Sequence, residues 1–336
     1  MQLTVGSMFS GIGGIDLGFE QSGFKVLWAN EYNNKACVTF KNYSKFKDVI
    51  LYEQDIHTLN AIEVQPVDII TAGFPCQAFS VAGYRQGFDD EKGRGNLFFE
   101  TARFIEAIKP KAYLIENVKN LASHDSGNTL EVIKKTLTDD LGYSFIPFVL
   151  NSKDYGNIPQ TRERIYIVGF KDESNHTYNY DLINRENTDS LTQRFSIPSK
   201  IPLSKSIHDC LDLTQQNDVF YYKSDHQYYP TLISEMKKKD TVYQWRRVYV
   251  RENKSKVCPT LTANMGTGGH NVPLIIDDYG IRKFTPKECL NFQGYPVNFK
   301  FPDGMARSHC YKQAGNSVVV PVIKRIATSI KEAINE

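Results

Sequence analysis

A chain of 336 residues has room for one large domain and a smaller one, each burying its own core. Hydrophobic residues make up 41%, charged residues 23%, and the formal net charge is +2. No run of about 18 apolar residues is present, so the composition excludes a disordered or membrane-spanning chain and fits a soluble enzyme. The six cysteines, Cys37, Cys76, Cys210, Cys258, Cys289 and Cys310, form no Cys-x-x-Cys pair, so no metal site and no disulfide framework are expected. The start, Met1-Gln2-Leu3-Thr4-Val5, is already strand-like and has no secretory leader, which predicts a cytoplasmic protein.

Short apolar runs predict strands near 3–9, 25–30, 67–72, 112–116, 144–150 and 165–170. Helical patterning falls between them, over 14–22, 33–43, 96–109 and 128–141, the third ended by Pro110. That alternation predicts a parallel sheet with helices on both faces. At the first turn, Gly11, Gly13 and Gly14 let backbone amides approach a ligand and aim a helix N-terminus at it. Such a turn fits NAD, FAD or S-adenosylmethionine, or a purely structural bend. Glu31, ending the second strand, is placed to accept both hydroxyls of a ribose, and Asp55 to accept an adenine amino group with Ile56 against the ring. Together they point to an adenosyl ligand.

The run Val67 to Ala72 leads into Gly73-Phe74-Pro75-Cys76-Gln77-Ala78-Phe79-Ser80, which puts one thiol at a strand-to-loop turn. There the nucleophilic thiolate is favoured. A second apolar strand ends in Glu116-Asn117, and Gln160-Thr161-Arg162-Glu163-Arg164 leads into a third, Ile165 to Phe170. A thiol, a carboxylate and two guanidiniums at the ends of parallel strands are expected to converge on one sheet edge. Between Cys76 and the next helix, residues 77–95 hold Gly83, Gly87, Gly93 and Gly95 among polar side chains, the composition of a loop that closes over a substrate.

After Phe170 the regularity fails, and residues 171 to about 280 are rich in Asn, Asp, Ser, Tyr and Pro. This stretch is predicted to form a separate, loop-rich domain. Within it, Lys237, Lys238, Lys239, Arg246, Arg247, Arg251, Lys254 and Lys256 are opposed only by Asp240 and Glu252, with Tyr243, Trp245 and Tyr249 interleaved. A basic and aromatic stretch of that kind suits guanine edges or phosphates, or is simply a solvated face. Helical patterning returns at Pro286–Gln293 and at Val319–Ile334, where Val322, Ile323, Ile326, Ile330 and Ile334 recur at helical spacing. The last helix is expected to dock back on the sheet, and Gly315-Asn316-Ser317 before it reads as a simple N-cap, a role that can coexist with contact to a ligand.

In sequence and order, these motifs resemble those of the C5-cytosine DNA methyltransferases over nearly the whole chain. The resemblance rests on Phe9-Ser10-Gly11-Ile12-Gly13-Gly14, Pro75-Cys76-Gln77, Gly95-Asn96-Leu97-Phe98-Phe99-Glu100, Glu116-Asn117-Val118, Gln160-x-Arg162-x-Arg164, Arg282-Lys283-Phe284-Thr285-Pro286-Lys287-Glu288 and Gln313-Ala314-Gly315-Asn316-Ser317-Val318. Gln54, where many members carry Gly, is a modest departure. The resemblance implies an α/β, Rossmann-like, S-adenosylmethionine-dependent methyltransferase sheet with a smaller target-recognition domain. It places the catalytic and cofactor-binding domain at 1–175, the recognition domain at 176–281, and a return segment with the C-terminal helix at 282–336.

It further implies transfer of a methyl group to carbon 5 of a cytosine flipped out of duplex DNA, through a covalent Cys76 adduct at carbon 6. Glu116, Arg162 and Arg164 would serve the cytosine. Phe9, Gly11, Ile12, Gly13, Glu31, Asp55, Ile56, Pro75, Leu97, Asn316 and Ser317 would line S-adenosylmethionine, released as S-adenosylhomocysteine. Ser80, Arg85, Arg246, Arg247, Arg251, Thr260 and Leu261 are the expected DNA contacts. A monomeric bacterial or phage enzyme of the cytosol or nucleoid, paired with a restriction endonuclease, is the corresponding expectation. Rival readings are a tRNA cytosine-5 methyltransferase on the same fold, an inactive DNA-binding paralogue, and, more distantly, a nicotinamide-dependent oxidoreductase.

Overall fold

A computed structural model of the chain describes residues 2–75, 97–171, 191–267 and 271–335. Its first half runs β1 (Thr4–Met8), α1 (Gly14–Gln21), β2 (Lys25–Asn30), α2 (Asn34–Asn42), β3 (Ile50–Tyr52), β4 (Ile69–Ala72), α3 (Leu97–Ile108), β5 (Ala112–Val118), α4 (Asn128–Lys135), β6 (Ile146–Asn151), α5 (Ser152–Tyr155), β7 (Gln160–Thr161) and β8 (Glu163–Phe170). Seven of these strands make one sheet in the order β3-β2-β1-β4-β5-β8-β6. β3 was not expected: its three residues hydrogen-bond alongside β2 but are too few to show a periodicity.

One strand corrects the parallel-sheet expectation. β8 runs antiparallel to both β5 and β6, with Val118 opposite Arg164 and Leu150 opposite the same arginine. A parallel return from β6 would need a crossover of roughly a dozen residues or more around a full helix, whereas the short 152–162 connection holds the single turn α5 and the two-residue β7. The reversal matters for the site, because it brings the start of β8, with Arg162 and Arg164, to the edge where β4 and β5 end.

The chain continues through α6 (Leu191–Arg194), α7 (Tyr229–Glu235), β9 (Tyr243–Arg246), β10 (Tyr249–Glu252), β11 (Cys258–Pro259), β12 (Leu274–Ile276), β13 (Ile281–Lys283), α8 (Pro286–Asn291), α9 (Arg307–Asn316) and α10 (Val320–Asn335). The stretch expected to be loop-rich therefore holds a small sheet, β10-β9-β12-β13, over a core of Leu232, Met236, Tyr243, Leu274 and Ile281. Other parts of it, Val242, Cys258, Leu261 and Met265, pack in one cluster with Ile12, Leu17 and Phe40 of the first half. Beneath β13, the Arg282 guanidinium is fully buried between Asp277 (2.6 Å) and Glu288 (2.8 Å), and Glu288 also closes a capping box with Thr285 at the start of α8. This ion network joins β13 to α8.

The last helix docks on the main sheet as expected. Val322, Ile323, Ile326 and Ile330 of α10 share a core with Ile15 and Phe19 of α1 and with Val5, Ile69 and Leu114 of the strands. α1 and α10 approach closely at Gly18, where an added Cβ would lie 2.5 Å from Ile323 Cγ2 and 3.0 Å from the backbone nitrogen of Lys324. Overpacking of this kind costs about 1–3 kcal/mol. Gly18→Ala is accordingly expected to lower the urea unfolding midpoint with an unchanged m-value; an unshifted midpoint would mean the two helices are not held at this separation.

Candidate active site

At the edge where β4 and β5 end, the structure sets Glu116 beside Arg164. Glu116, 8% exposed, lies with its Oε1 3.2 Å from Arg164 Nε. Burial pushes the Glu116 carboxyl upward, and the Arg164 and then the Arg162 guanidinium partly offset it. A Cβ on Gly73 would sit 3.5 Å from Glu116 Oε2, and Asn117 donates from Nδ2 to the Phe74 carbonyl at 2.9 Å. The backbone that enters Pro75 and Cys76 is thus anchored directly against the Glu116–Arg164 pair. Cys76 itself, Ser80, Arg85 and the expected 77–95 loop lie outside the described residues.

Residues 160, 162 and 164 alternate along an extended stretch, so their side chains share one face. Two of them turn inward. Arg162, 3% exposed, donates to the carbonyls of Leu261 (2.7 Å), Gly315 (3.3 Å) and Ser317, three points remote in sequence. Burial and the neighbouring Arg164 push its guanidinium down to about 9, which still leaves it charged at neutral pH. Gln160 donates to the Phe292 carbonyl at 2.6 Å and accepts from the Leu261 amide at 3.0 Å. Only Arg164, half-buried, is left facing the carboxylate.

Along β1, β2 and β3 the same edge carries the expected cofactor residues. Phe9 (φ 55°), Gly11 (φ 57°) and Gly13 (φ 82°) all occupy left-handed backbone, and for Phe9 that is a strained conformation of the kind found at binding sites. Glu31 Oε2 accepts from the Gly11 amide at 2.9 Å and Oε1 from the Asn33 amide at 2.7 Å, while burial raises its carboxyl above the usual range. A carboxylate has about four acceptor positions, so both oxygens keep lone pairs for ribose hydroxyls. Asn30 bonds the carbonyls of Tyr52 and Gln54, which sets the Asp55 turn beside β2 and leaves the Gln54 departure harmless to it. Asp55 caps the 3₁₀ turn Ile56–Thr58, held below the usual range by the His57 amide and ring, and stays largely exposed, whereas Ile56 is buried. Around Gly11 no described atom lies within 4 Å of an added Cβ. Two acceptor carboxylates, apolar walls from Phe9, Ile56 and Leu97, and an open glycine turn fit an adenosyl ligand.

Two expectations need correction. Gly315 and Asn316 end α9 and Ser317 is its C-cap, so the triplet is not the N-cap of the last helix. Ser317 Oγ instead pairs with Tyr295 Oη at 2.6 Å above Gly14, and Asn316 is exposed. Leu261, expected on DNA, is 1% exposed inside the core, where its backbone serves Gln160 and Arg162. Thr260 donates its hydroxyl to the Thr161 carbonyl. Arg246, Arg247 and Arg251 do lie on the surface, the first two at the tip of the β9–β10 hairpin with Val248 (82% exposed) and Tyr249 (56%). Of the basic residues around them, Lys238, Lys239 and Lys256 are tied to Glu252, Asp278 and Asp240.

The family model for C-5 cytosine-specific DNA methylases matches residues 3–332. The chain belongs to that family. The methylase is 51% identical over 335 residues to the type II methyltransferase M.Bsp6I of a Bacillus species, covering 99% of each chain. It is 35% identical over 333 residues to M.HhaI of Haemophilus parahaemolyticus, covering 98% of this chain and 94% of that one. Among solved structures, a DNMT2 mutant from Spodoptera frugiperda (TM-score 0.72, 19% identity, 98% and 100% of the two chains) and the S. pombe Dnmt2 methyltransferase (TM-score 0.72, 20% identity, 100% of both) share the fold. The methylase is a DNA cytosine-5-methyltransferase, with S-adenosylmethionine implied as methyl donor and double-stranded DNA as substrate. Among the described residues no helix is long and apolar enough to cross a membrane.

One residue of this region gave no chemical signal in the sequence. Asp16, in the first turn of α1 just past the glycines, is fully buried, and neither of its oxygens has a hydrogen-bond partner among the described residues. The hydroxyls of Ser7 and of Thr71, which pair across β1 and β4, are likewise unpartnered. Burial pushes the Asp16 carboxyl up to about 7. A folded-state pKa above the unfolded value means the native state binds the extra proton between about pH 4 and 7, so stability falls as pH rises through that window. Asp16→Asn should flatten this dependence, removing a slope of up to about 1.4 kcal/mol for each pH step of one across the window. Urea unfolding from pH 4 to 8 measures it, and parallel wild-type and variant curves would show that Asp16 ionises freely in the fold.

Proposed function

We propose that the methylase transfers a methyl group to carbon 5 of a cytosine extruded from a specific duplex DNA sequence, by way of a covalent Cys76 adduct at carbon 6. The reading is carried by one arrangement: a buried carboxylate paired with a guanidinium, set against the backbone that delivers Cys76. Carbon 5 is a weak nucleophile. Addition of the Cys76 thiolate to carbon 6 breaks the ring conjugation and leaves an enamine rich in electrons at carbon 5. Negative charge develops toward N3 and O2 as it does so. Glu116, its carboxyl biased toward the protonated form by burial, donates to N3 and accepts from the exocyclic amine, while Arg164 presents its donor fork to O2. S-adenosylmethionine, when bound, supplies an electrophilic sulfonium methyl and leaves as S-adenosylhomocysteine. Loss of the carbon 5 proton to a base then expels the thiolate and restores the aromatic ring.

Phe9, Gly11, Ile12, Gly13, Glu31, Asp55, Ile56, Pro75, Leu97, Asn316 and Ser317 would hold the donor, Glu31 on the ribose and Asp55 at the adenine amine. Arg162 and Asn117 are positioning residues, since Arg162 Nη1 and Nη2 and Asn117 Nδ2 bond backbone carbonyls and Asn117 Oδ1 accepts from the Val118 amide. Carbon 6 is covered in duplex DNA, so the nucleotide has to leave the stack; methyltransferases are the standard example of that extrusion. Similarity to type II methyltransferases supports a restriction-modification role with a cognate endonuclease as partner. The catalytic and cofactor part at 1–175 and 282–336, with recognition assigned to 176–281, is the corresponding division.

Duplex DNA bearing 5-fluorocytosine tests the chemistry, because fluorine at carbon 5 cannot leave as a proton does. A denaturant-resistant adduct with wild type, lost in Cys76→Ser together with turnover, is expected. No adduct, or substantial methylation by the variant, would remove Cys76 from this role. Using total tRNA in place of DNA as methyl acceptor tests the RNA alternative.

The hairpin tip is proposed to read sequence. If Arg246 or Arg247 pairs with a guanine edge, replacement by Ala should cost about 1–3 kcal/mol at the cognate site and relax preference at one base position. A phosphate contact would instead weaken all sequences alike and lower the salt slope by about one unit. Binding to single-base target variants at several salt concentrations separates them, and uniform losses for both arginines would move base reading to the 260–271 segment.

A further inference from the structure

Arg103 of α3 has no place in the chemistry above, yet it is tied to the cofactor edge. Its Nη2 donates to the carbonyls of Ile56 and Leu59, each at 3.0 Å. Those carbonyls belong to the first residue and the C-cap of the single 3₁₀ turn that Asp55 opens. The plane of the guanidinium is fixed from its own helix, through Nε and Nη2 to Glu100 Oε2 at 2.9 and 2.5 Å and by the Phe104 ring 4.8 Å away. Phe104 is fully buried and packs on Trp28 of β2. Arg103 therefore refers the position of the turn to the core of the sheet.

A three-residue turn needs such a reference. Its internal bonds, from the Thr58 hydroxyl to the Asp55 carbonyl and from the His57 amide to the Asp55 carboxylate, shape the turn; Asn30 ties its entry at the Gln54 carbonyl and Ile56 and Leu59 pack in the core, and Arg103 is the side chain that grips the turn's own carbonyls. The Asp55 side chain is 60% exposed, so packing does not immobilise it. A carboxylate that has to meet a ligand amine gains affinity from being held in place beforehand.

We propose that Arg103 is a positioning residue for the methyl donor: by gripping the Ile56 and Leu59 carbonyls it holds Asp55 and Ile56 at the adenine end of the cofactor. The inference rests on the reading that Asp55 and Ile56 line that ligand. Arg103→Gln, which keeps polarity but cannot span both carbonyls and Glu100, should raise KM for S-adenosylmethionine about tenfold, the equivalent of one or two ordinary hydrogen bonds. kcat and KM for DNA should stay within about twofold. Arg103→Lys, able to reach one carbonyl, should fall between Gln and wild type, and Glu100→Gln should shift KM in the same direction by less.

Steady-state kinetics and calorimetric titration with S-adenosylhomocysteine on the full chain provide the readout, with Asp55→Asn as the reference. If Asp55→Asn leaves cofactor affinity unchanged, the lining itself is misread and the Arg103 role goes with it. If Asp55→Asn weakens binding while Arg103→Gln and Glu100→Gln do not, the lining stands and the positioning role is overturned. Equal losses in kcat, DNA affinity and cofactor affinity would show Arg103 to be merely structural and overturn it too. Should Arg103→Gln fail to fold, Glu100→Gln decides by the same criteria.

Discussion

The site depends on a single buried cation. Arg162 sits where the chain turns into β8 and spends its Nη1 and Nη2 donors on carbonyls from 261, 315 and 317, while its buried Nε has no partner among the described residues. Those three carbonyls come from the ends of segments that lie about 100 and 150 residues downstream in the chain, so no local interaction could bring them together. A guanidinium can, because it presents five donors in a fixed plane. Taking such a charge from water is expensive unless its hydrogen bonds are made, and each missing carbonyl would leave a buried donor unmatched. The cost of burial thus selects the one arrangement in which β8, the 261 strand end and the α9 C-terminus all meet.

From that junction the division of labour in Gln160-x-Arg162-x-Arg164 follows. Strand periodicity puts all three on one face, and depth decides what each does. Gln160 and Arg162 are buried deep enough to be consumed by backbone, while Arg164, nearer the rim, keeps its guanidinium for Glu116. Glu116 in turn is held between a desolvating pocket and a cation, which leaves its proton affinity raised yet tunable. Asn117, one position on, points the other way along the pleat and takes the Phe74 carbonyl, so adjacent residues of one strand fix the carboxylate and the entry to the thiol.

Much of this was legible in the amino-acid order, and the failures have identifiable causes. Strand ends carrying Glu31, Glu116 and the glycine turn were readable because apolar runs terminate in polar residues there. Convergence of Cys76, Glu116, Arg162 and Arg164 was expected from an all-parallel sheet, which would have put the two arginines on the far edge; local patterning carries no strand direction, and β8 runs the other way. α9 was missed because Arg307–Asn316 has no apolar stripe. It is buried by close approach instead, with Gly315 so near Thr262 that a Cβ would lie 2.2 Å from that backbone. The β9–β10 hairpin lacks the Asn-Gly or Asp-Gly signal, since Arg247 itself takes the left-handed position at φ 54°. Leu261 was placed on DNA by motif alone; its side chain is buried and its backbone bonds Gln160 and Arg162, while Thr260 uses its hydroxyl.

The packing of α10 on α1 bears on how the methylase comes into being on the ribosome. β1 and α1 are made well before α10, yet the apolar flank formed by Val5, Ile15 and Phe19 is covered by Val322, Ile323, Ile326 and Ile330 of that helix. At roughly 5–20 residues per second, the nascent sheet carries that uncovered flank for on the order of 15–60 seconds before its lid emerges. The carbonyls at 315 and 317 that complete the Arg162 junction arrive in the same final segment. A chain not yet extended through α9 therefore lacks two of the three carbonyls that Arg162 needs.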